Sequence, residues 1–190
     1  MQKDTKKLIS DAFLIQLASK PFDKITIKDI VDTAGVNRNT FYYYYSDVYD
    51  LLEEIFKKEL MIILESQKQT GSYLKAFIQV AQTAYEHKRM IRNICVSRSY
   101  EYFESYMFKA CNQIVVEFVK NMAEGMEVPD EDIEFIASFY EYAIVGMISE
   151  WFRTGMKEDP LEFIGNLSLV TGGVKMALAR SEQRAKELAD

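Results

Sequence analysis

The sequence predicts an all-α protein in which a three-helix head containing a helix-turn-helix precedes a larger helical body. Apolar residues recur at spacings of three and four along most of the 190-residue chain, as they do on amphipathic helices. No segment alternates between apolar and polar residues as a half-buried strand would. Between residues 26 and 45, two short helical patterns flank a glycine, which is the arrangement of a helix-turn-helix.

The first predicted helix runs from Lys3 to Ser19 and ends before Pro21, whose ring prevents a helix from continuing. Its apolar residues form two adjacent stripes, one made of Leu8, Ala12 and Ile15 and the other of Ile9, Phe13 and Leu17. We expect these stripes to cover the back of the two helices that follow.

The helix-turn-helix begins at Thr26, which stands at an N-cap position with Asp29 three residues later. This pair predicts a capping box for a helix from Ile27 to Thr33. Gly35 can adopt the left-handed backbone conformation that ends such a helix. Asn37 is then a favourable N-cap for the second helix.

The second helix of the motif divides into two faces. Phe41 and Tyr45 are four residues apart, so they share the side that we expect to face the core. Arg38, Asn39 and Thr40 lie in the first turn, where a recognition helix meets the edges of the bases. An arginine can pair with guanine there, and an asparagine can pair with adenine.

Two further tyrosines, Tyr42 and Tyr44, are predicted to point away from Phe41 and to offer their hydroxyls to phosphate. Spacing alone leaves open an ordinary helical hairpin with an exposed, tyrosine-rich face. The first 50 residues balance seven Lys/Arg against seven Asp, so the rest of the chain carries the whole net charge of −6. Binding to DNA would therefore use a local patch and not a globally basic surface.

Residues 25–52, ITIKDIVDTAGVNRNTFYYYYSDVYDLL, resemble the DNA-binding domain of the TetR/AcrR family of bacterial transcription regulators. The matching positions are Thr26, Ile30, Ala34-Gly35-Val36, Thr40-Phe41-Tyr42, Tyr44-Tyr45 and Leu51. The resemblance implies a homodimer that binds a palindromic operator in double-stranded DNA. Residues 1–46 would form the DNA-binding domain, and residues 47–190 the effector-binding and dimerisation domain. The sequence departs from the family pattern at Tyr45, where Phe is usual, and at Val48, where many members carry a phosphate-binding Lys.

Three sets of functional residues follow from the face analysis and the resemblance. The residues expected to contact DNA are Thr26, Lys28, Asn37, Arg38, Asn39, Thr40, Tyr42 and Tyr44. A small hydrophobic or aromatic effector would meet Tyr85, Arg92, Tyr102, Phe103, Tyr106, Met107 and Phe139. A closed core without a cavity is the alternative for this second set. The last two helices would pair with those of a second subunit through Ile144, Ile148, Phe163, Leu167, Val170 and Val174.

The body is predicted to begin with a helix that Ser46 or Asp47 caps and that ends at about Glu65. A polar break with Gly71 follows at Gln67–Ser72. The later helical patterns cover Tyr73–His87, a short segment through Val96, Ser99 to about Glu124, Pro129 to about Arg153, and Leu161 to about Leu188. The pattern around Trp151, Gly155 and Pro160 resembles the body of regulators related to the dihydroxyacetone-kinase activator.

Several classes of function find no support in the sequence. It holds one histidine, His87, at the polar end of a helix, and no cluster of residues at metal-binding spacing, so neither a metal nor a cofactor is expected. Cys95 and Cys111 are expected to be buried free thiols. No paired acid and base groups identify an enzyme. No apolar run is long enough for a membrane span, and the charged N-terminus is unlike a secretory signal, so a cytoplasmic protein is expected.

The sequence therefore favours a regulator of transcription, and a repressor that a small molecule releases from its operator is the leading hypothesis. An activator of the same architecture is a second possibility. A helical binding or scaffold protein that has lost DNA binding is a third.

Overall fold

The computed structural model describes residues 2–70 and 73–189, which form nine α-helices and one 3-10 turn at Phe22–Lys24 and contain no strand. The all-α prediction is confirmed. The helices are α1 (Gln2–Ser19), α2 (Ile27–Ala34), α3 (Arg38–Tyr44), α4 (Val48–Thr70), α5 (Tyr73–Glu86), α6 (Lys88–Cys95), α7 (Tyr100–Met122), α8 (Asp130–Arg153) and α9 (Pro160–Ala189).

The head is built from α1, α2, α3 and the first turns of α4 around one apolar core. The residues that α1 buries there are Ile9, Ala12, Phe13 and Leu17. Leu8 and Ile15 are exposed, so only one of the two predicted stripes faces the core. Leu51 and Leu52 are buried in the same core, which makes the start of α4 a structural part of the head.

The turn between α2 and α3 has the predicted caps. The Thr26 hydroxyl accepts the Asp29 N–H at 3.2 Å, while the Asp29 carboxylate accepts the Thr26 N–H at 2.8 Å, which completes the capping box. Gly35 has a φ of 67°, in the left-handed region. The Asn37 side chain accepts the Thr40 N–H at 2.8 Å and so caps α3. These bonds satisfy N–H groups that a helix leaves unpaired at its start.

Helix α4 starts as predicted but is longer than expected. The Asp47 carboxylate accepts the N–H groups of Tyr49 at 2.8 Å and Asp50 at 2.9 Å, so Asp47 is the cap. The helix continues to Thr70 instead of ending near Glu65. The expected break at Gln67–Ser72 was wrong for residues 67–70, because polar side chains alone do not end a helix; residues 71 and 72 lie outside the described ranges.

In the body, the most extensive helix pairing of the described chain joins α7 to α8. A second apolar core lies between these helices and α9, around Val119, Ala137, Val145, Val174 and Leu178. The far end of the body is fastened by Asp132 of α8, which pairs with Arg184 of α9 at 2.6 Å. No helix in the described part of the chain is long and apolar enough to cross a membrane.

The turn between α8 and α9 is closed by Trp151. Its ring stacks on Phe163 at 4.7 Å with an interplanar angle of 8°, and its indole N–H donates to the Glu158 carbonyl at 3.2 Å. Gly155 and Met156 both have positive φ values, 82° and 52°. Met156 is a non-glycine residue in the left-handed region, and its side chain is buried against the first core. These contacts fix the angle at which α9 returns along the body.

Candidate nucleic-acid interface

Helix α3 presents one polar, aromatic face to solvent and buries the other. Phe41 and Tyr45 are 0% and 2% exposed, as expected for the core side. On the opposite side, Arg38 and Asn39 are exposed in the first turn, and Tyr42 is 55% exposed. The face has hydrogen-bond donors and acceptors at its N-terminal end, where a recognition helix meets base edges.

The tyrosines of α3 divide differently from the prediction. Tyr44 is half-buried and packs against the head core, so its predicted outward direction was wrong. Tyr43 is 69% exposed instead. The reason is helical geometry: Tyr44 lies three residues after Phe41 and shares its side, whereas Tyr43 lies four residues after Asn39 and shares the exposed side. The spacing from Asn39 was the signal that could have identified Tyr43.

Each exposed tyrosine ring rests on a ring nearer the core. Tyr42 meets Phe41 edge to face at 5.8 Å, and Tyr43 meets Tyr44 edge to face at 4.9 Å. Such pairs restrict the rotamers of the outer rings. The two outer rings therefore stand in defined positions on the exposed face of α3.

The remaining predicted contacts surround this face. Thr26 and Lys28 are exposed at the start of α2, and Asn37 is exposed before α3. Thr26 donates its hydroxyl to Asp29 at 2.6 Å, and the hydroxyl of half-buried Thr40 donates to Asn37 at 3.0 Å. These hydroxyls already act as donors within the head, where they hold the helix starts.

Two departures from the family pattern have structural consequences. Val48 is half-buried and packs on the head core, so it stabilises the head where a lysine would reach phosphate. The Tyr45 hydroxyl donates to Glu54 of α4 at 3.3 Å, and Glu54 also pairs with Lys6 of α1. Burial raises the pKa of Tyr45 to about 12. The hydroxyl thus links α3, α4 and α1, a link that phenylalanine could not make.

The head is joined to the body at two places. Tyr49 of α4 meets Phe22 of the head at 5.0 Å and Tyr102 of α7 at 5.1 Å, and it shares a hydrogen bond of 2.7 Å with Ser99. In addition, the Asn93 side chain of α6 donates to the carbonyl of Leu17 at 2.8 Å. A movement of α6 or α7 would therefore be transmitted to the head.

The predicted effector residues do not form one site. Phe103, Tyr106 and Met107 lie on adjacent turns of α7 and pack toward the first core, with Tyr102 partly exposed at the edge. Tyr85 is half-buried beneath Lys88, whose ammonium lies 4.8 Å from its ring. Arg92 and Phe139 are exposed, so the structure does not bring them into the group on α7.

The interior beside α7 contains polar groups that the sequence did not single out. The hydroxyls of Tyr100 and Tyr106 are buried without a hydrogen-bond partner among the described residues. Nearby, the Ser149 hydroxyl donates to Glu104 at 3.3 Å. Burial raises the pKa of Tyr106 to about 12, with the charge of Glu53 as a smaller cause. Unpaired buried hydroxyls are costly, and a bound ligand or water would relieve that cost.

The predicted dimer residues are largely internal. Phe163, Leu167 and Val174 are buried within the subunit, so their placement on an open face was wrong. Ile144 and Ile148 are half-buried against the two cores. Val170 is exposed. The sequence signal was an apolar stripe on α9, and that stripe faces this subunit's own helices.

Another stripe of α8 and α9 remains open to solvent. Its large members are Phe135, Phe139, Tyr142, Leu169 and Met176. On the same faces stand Gly146, Gly165 and Gly172, and an added Cβ would meet no atom within 4 Å at any of them. Contiguous exposed apolar surface with small residues between is typical of a surface that packs against another helix pair.

The fold and this site define a helix-turn-helix DNA-binding regulator with a separate helical body. The sequence profile of the bacterial regulatory proteins of the tetR family matches residues 9–55, and that of a transcriptional regulator C-terminal region of the TetR type matches residues 71–173. The chain belongs to the TetR family, whose members are transcriptional regulators without enzymatic activity. They bind operator DNA and typically dimerise.

Individual relatives are more distant. The transcriptional activator DhaS of the dhaKLM operon of Lactococcus lactis subsp. lactis (strain IL1403) is 25% identical over 100 residues, which cover 52% of this chain and 54% of that relative. The chain therefore spans about half the length of this curated relative. The solved structure of a dihydroxyacetone kinase operon activator DhaS has a TM-score of 0.71 at 19% identity and covers 94% of this chain and 98% of its own.

Two other solved structures have the same fold. A TetR transcriptional regulator from Streptococcus agalactiae 2603V has a TM-score of 0.66 at 19% identity, covering 89% of this chain and 94% of its own. NalD, the secondary repressor of the MexAB-OprM multidrug efflux pump in Pseudomonas aeruginosa, has a TM-score of 0.58 at 14% identity, covering 88% and 94%. At these identities the likeness concerns the fold alone.

Proposed function

We propose that the protein is a homodimeric repressor that binds a palindromic operator and leaves it when a small molecule binds the body. Residues 1–46 serve as the DNA-binding domain and residues 47–190 as the effector-binding and dimerisation domain. The observation that carries this proposal is the exposed face of α3, on which Arg38 and Asn39 precede two outward tyrosines. No internal packing requirement explains so large a polar and aromatic face.

Within that face, Arg38 and Asn39 read bases, because their side chains can form paired hydrogen bonds with guanine and adenine. Tyr43 joins them, since its ring shares the side of Asn39. Tyr42, Thr26 and Lys28 contact phosphates, which fixes the position of the head without reading sequence. Asn37 and Thr40 chiefly hold the start of α3, and Tyr44 packs beneath it.

Dimerisation uses the open apolar stripe of α8 and α9 in place of the predicted residues. Phe139 and Leu169 would be central to it, with the exposed glycines allowing close approach of the partner helices. Two heads on one dimer would then meet half-sites one helical turn or a multiple apart. The symmetry of such a dimer accounts for a palindromic operator.

Effector control is supported by the interior beside α7. Aromatic rings of Phe56, Phe103 and Phe152 surround the unpartnered hydroxyls of Tyr100 and Tyr106. A small hydrophobic or aromatic compound with one hydrogen-bond acceptor would match this lining. It could shift the heads only by as much as its affinity differs between the two arrangements.

An activator is the second candidate, and the similarity to DhaS favours it. That relative is a transcriptional activator, and the match includes a quarter of identical residues over about half of each chain. The architecture is the same in both cases, since the same dimer can recruit or block polymerase according to where its operator lies.

Selection from random double-stranded DNA tests the proposal. We expect an enriched palindrome with the wild-type protein and none with the double variant Arg38→Ala/Asn39→Ala, provided that the variant unfolds at the same temperature. Transcription in vitro from a template carrying that palindrome then separates the two candidates, because a repressor lowers and an activator raises the transcript. No enrichment by the wild-type protein would contradict DNA regulation and favour a binding protein that has lost its operator.

A further inference from the structure

The contact between α4 and α7 joins the helix that carries the head to the body. We define the α4–α7 seam as Glu53 and Phe56 of α4 with Tyr102 and Tyr106 of α7. The Tyr102 hydroxyl donates to Glu53 at 3.0 Å, and Lys57 pairs with the same carboxylate at 2.8 Å. One turn further along, the rings of Phe56 and Tyr106 stack at 5.1 Å.

The two tyrosines of the seam are in unequal situations. Tyr102 is partly exposed and has the carboxylate as its acceptor, whereas the Tyr106 hydroxyl is buried and finds no acceptor in the described part of the chain. The residues are four apart, so their hydroxyls lie on the same face of α7, separated by about one helical turn of ~5.4 Å. One carboxylate therefore stands near two phenolic donors, and only one of the donors is satisfied.

We propose that Glu53 is a positioning residue that exchanges between two donors, Tyr102 in this structure and Tyr106 in a second state, and that the exchange moves the head relative to the body. This inference rests on the proposed function, because head placement matters to a dimer that must fit two half-sites. The arrangement has the two discrete states that a switching element needs.

The path from the seam to the head is short. Glu54, next to Glu53, accepts the Tyr45 hydroxyl of the recognition helix and pairs with Lys6 of α1. One turn before it, Tyr49 packs on Phe22 of the head. A displacement of α4 along α7 would therefore carry α1 and α3 with it. The hydroxyl that the second state satisfies belongs to the same helix, α7, that lines the proposed effector region.

Balance between the two states follows from their chemistry. Each state has one phenol bonded to the same carboxylate, so the exchange replaces one hydrogen bond by an equivalent bond. Removing either donor should shift the ratio of states about 3- to 10-fold, which is the effect of one net hydrogen bond. Removing both donors should restore the original ratio approximately.

A cycle of four proteins tests this inference: the wild type, Tyr102→Phe, Tyr106→Phe and the double variant. Operator affinity is measured for each by fluorescence anisotropy with the selected palindrome. We expect Tyr102→Phe to change the affinity about 3- to 10-fold, and we expect the double variant to return to within about twofold of the wild type. A merely structural role for the tyrosines predicts no such reversal.

Two controls make the result specific. In a Glu53→Ala background, where the shared acceptor is gone, Tyr102→Phe should change affinity less than about twofold. Tyr140→Phe removes a tyrosine hydroxyl that donates to the Val170 carbonyl at 3.4 Å, outside the seam, and it should leave operator affinity unchanged. Thermal unfolding of each variant checks that all of them fold.

The inference is overturned if Tyr102→Phe leaves affinity unchanged, or if the effects of the two substitutions simply add. It is also overturned if Tyr102→Phe acts equally strongly without the Glu53 carboxylate. These outcomes are separate from failure of the proposed function, since that failure would appear as a wild-type protein that binds no selected DNA.

Discussion

At the scale of single residues, four consecutive tyrosines on and just after α3 show how direction alone separates roles. Tyr42 and Tyr43 face solvent, Tyr44 is half-buried, and Tyr45 is buried. The sequence letters are identical, so chemistry cannot distinguish them; the helical repeat of about 3.6 residues does. The same repeat places Asn39 beside Tyr43 and makes that tyrosine part of the predicted readout.

Tyr43→Ala should weaken operator binding by about 1–3 kcal/mol, the usual cost of losing a contact with a base edge. Because the side chain is exposed, the free energy of unfolding should change by no more than about 0.5 kcal/mol. Anisotropy titration and chemical denaturation measure the two quantities.

Tyr44→Ala is the matched control. Its half-buried ring packs against the head core, so the substitution should lower the free energy of unfolding by about 1–3 kcal/mol through lost burial. If Tyr43→Ala instead destabilises the protein and leaves operator affinity intact, the two tyrosines have been assigned to the wrong faces.

At the scale of helices, the sequence predicts starts better than ends and faces. The caps at Thr26 and Asn37 are local, because each depends on residues within one turn, and both are present. The end of α4 is not local in this way, since no glycine or proline before Gly71 forces a stop. Polar residues near the predicted end at Glu65 were compatible with both outcomes.

The faces of α9 show the same limit. Phe163, Leu167, Val170 and Val174 form one stripe at helical spacing, and Gly165, Leu169, Gly172 and Met176 form another, offset by two residues. Either stripe could pair with a partner, and only tertiary packing shows that most of the first is covered by this subunit. The fold class and the recognition helix were therefore predictable, but the dimer face was not.

Asp29 gives an element-scale prediction about pH. Hydrogen bonds from Lys20, and then from the Thr26 side chain and backbone, hold the pKa of Asp29 well below its usual range. Because the pKa is lower in the folded state, the stabilisation is complete above about pH 4, the ordinary value, and is lost as pH falls toward the folded-state value.

Asp29→Asn should therefore reduce the free energy of unfolding by about 1 kcal/mol at pH 7, which is typical of a weakened helix cap. The difference from the wild type should shrink below about pH 4. Asp32→Asn, at an exposed position of the same helix, is the control and should have an effect within about 0.5 kcal/mol. A difference that stays constant from pH 7 to pH 3 would argue against the capping role.

At the scale of the whole molecule, charge and apolar surface are distributed unevenly. The head is electrically balanced, and the net charge of −6 lies in the remainder of the chain. The open apolar stripe of α8 and α9 is part of that acidic body, away from the recognition helix. This distribution suits a dimer that associates through its bodies and presents two heads to DNA.

Leu169→Glu and Leu167→Glu separate association from folding. Leu169 is 79% exposed in the subunit, so a charge there should leave the fold intact and split the dimer. Leu167 is buried in the subunit, so the same charge should lower the free energy of unfolding by about 3 kcal/mol or more. Analytical ultracentrifugation and chemical denaturation distinguish the two. A Leu169→Glu protein that sediments as a dimer at all concentrations would place the interface elsewhere.

The central claim is that the exposed face of α3 reads operator sequence, and the specificity of Arg38→Ala tests it most directly. The measurement is the ratio of affinities for the selected palindrome and for a scrambled duplex, taken at one salt concentration for the wild type and the variant. We predict that Arg38→Ala loses about 1–3 kcal/mol on the palindrome and much less on scrambled DNA, so the ratio falls about 5- to 150-fold. An unchanged ratio in a normally folded variant would contradict the claim.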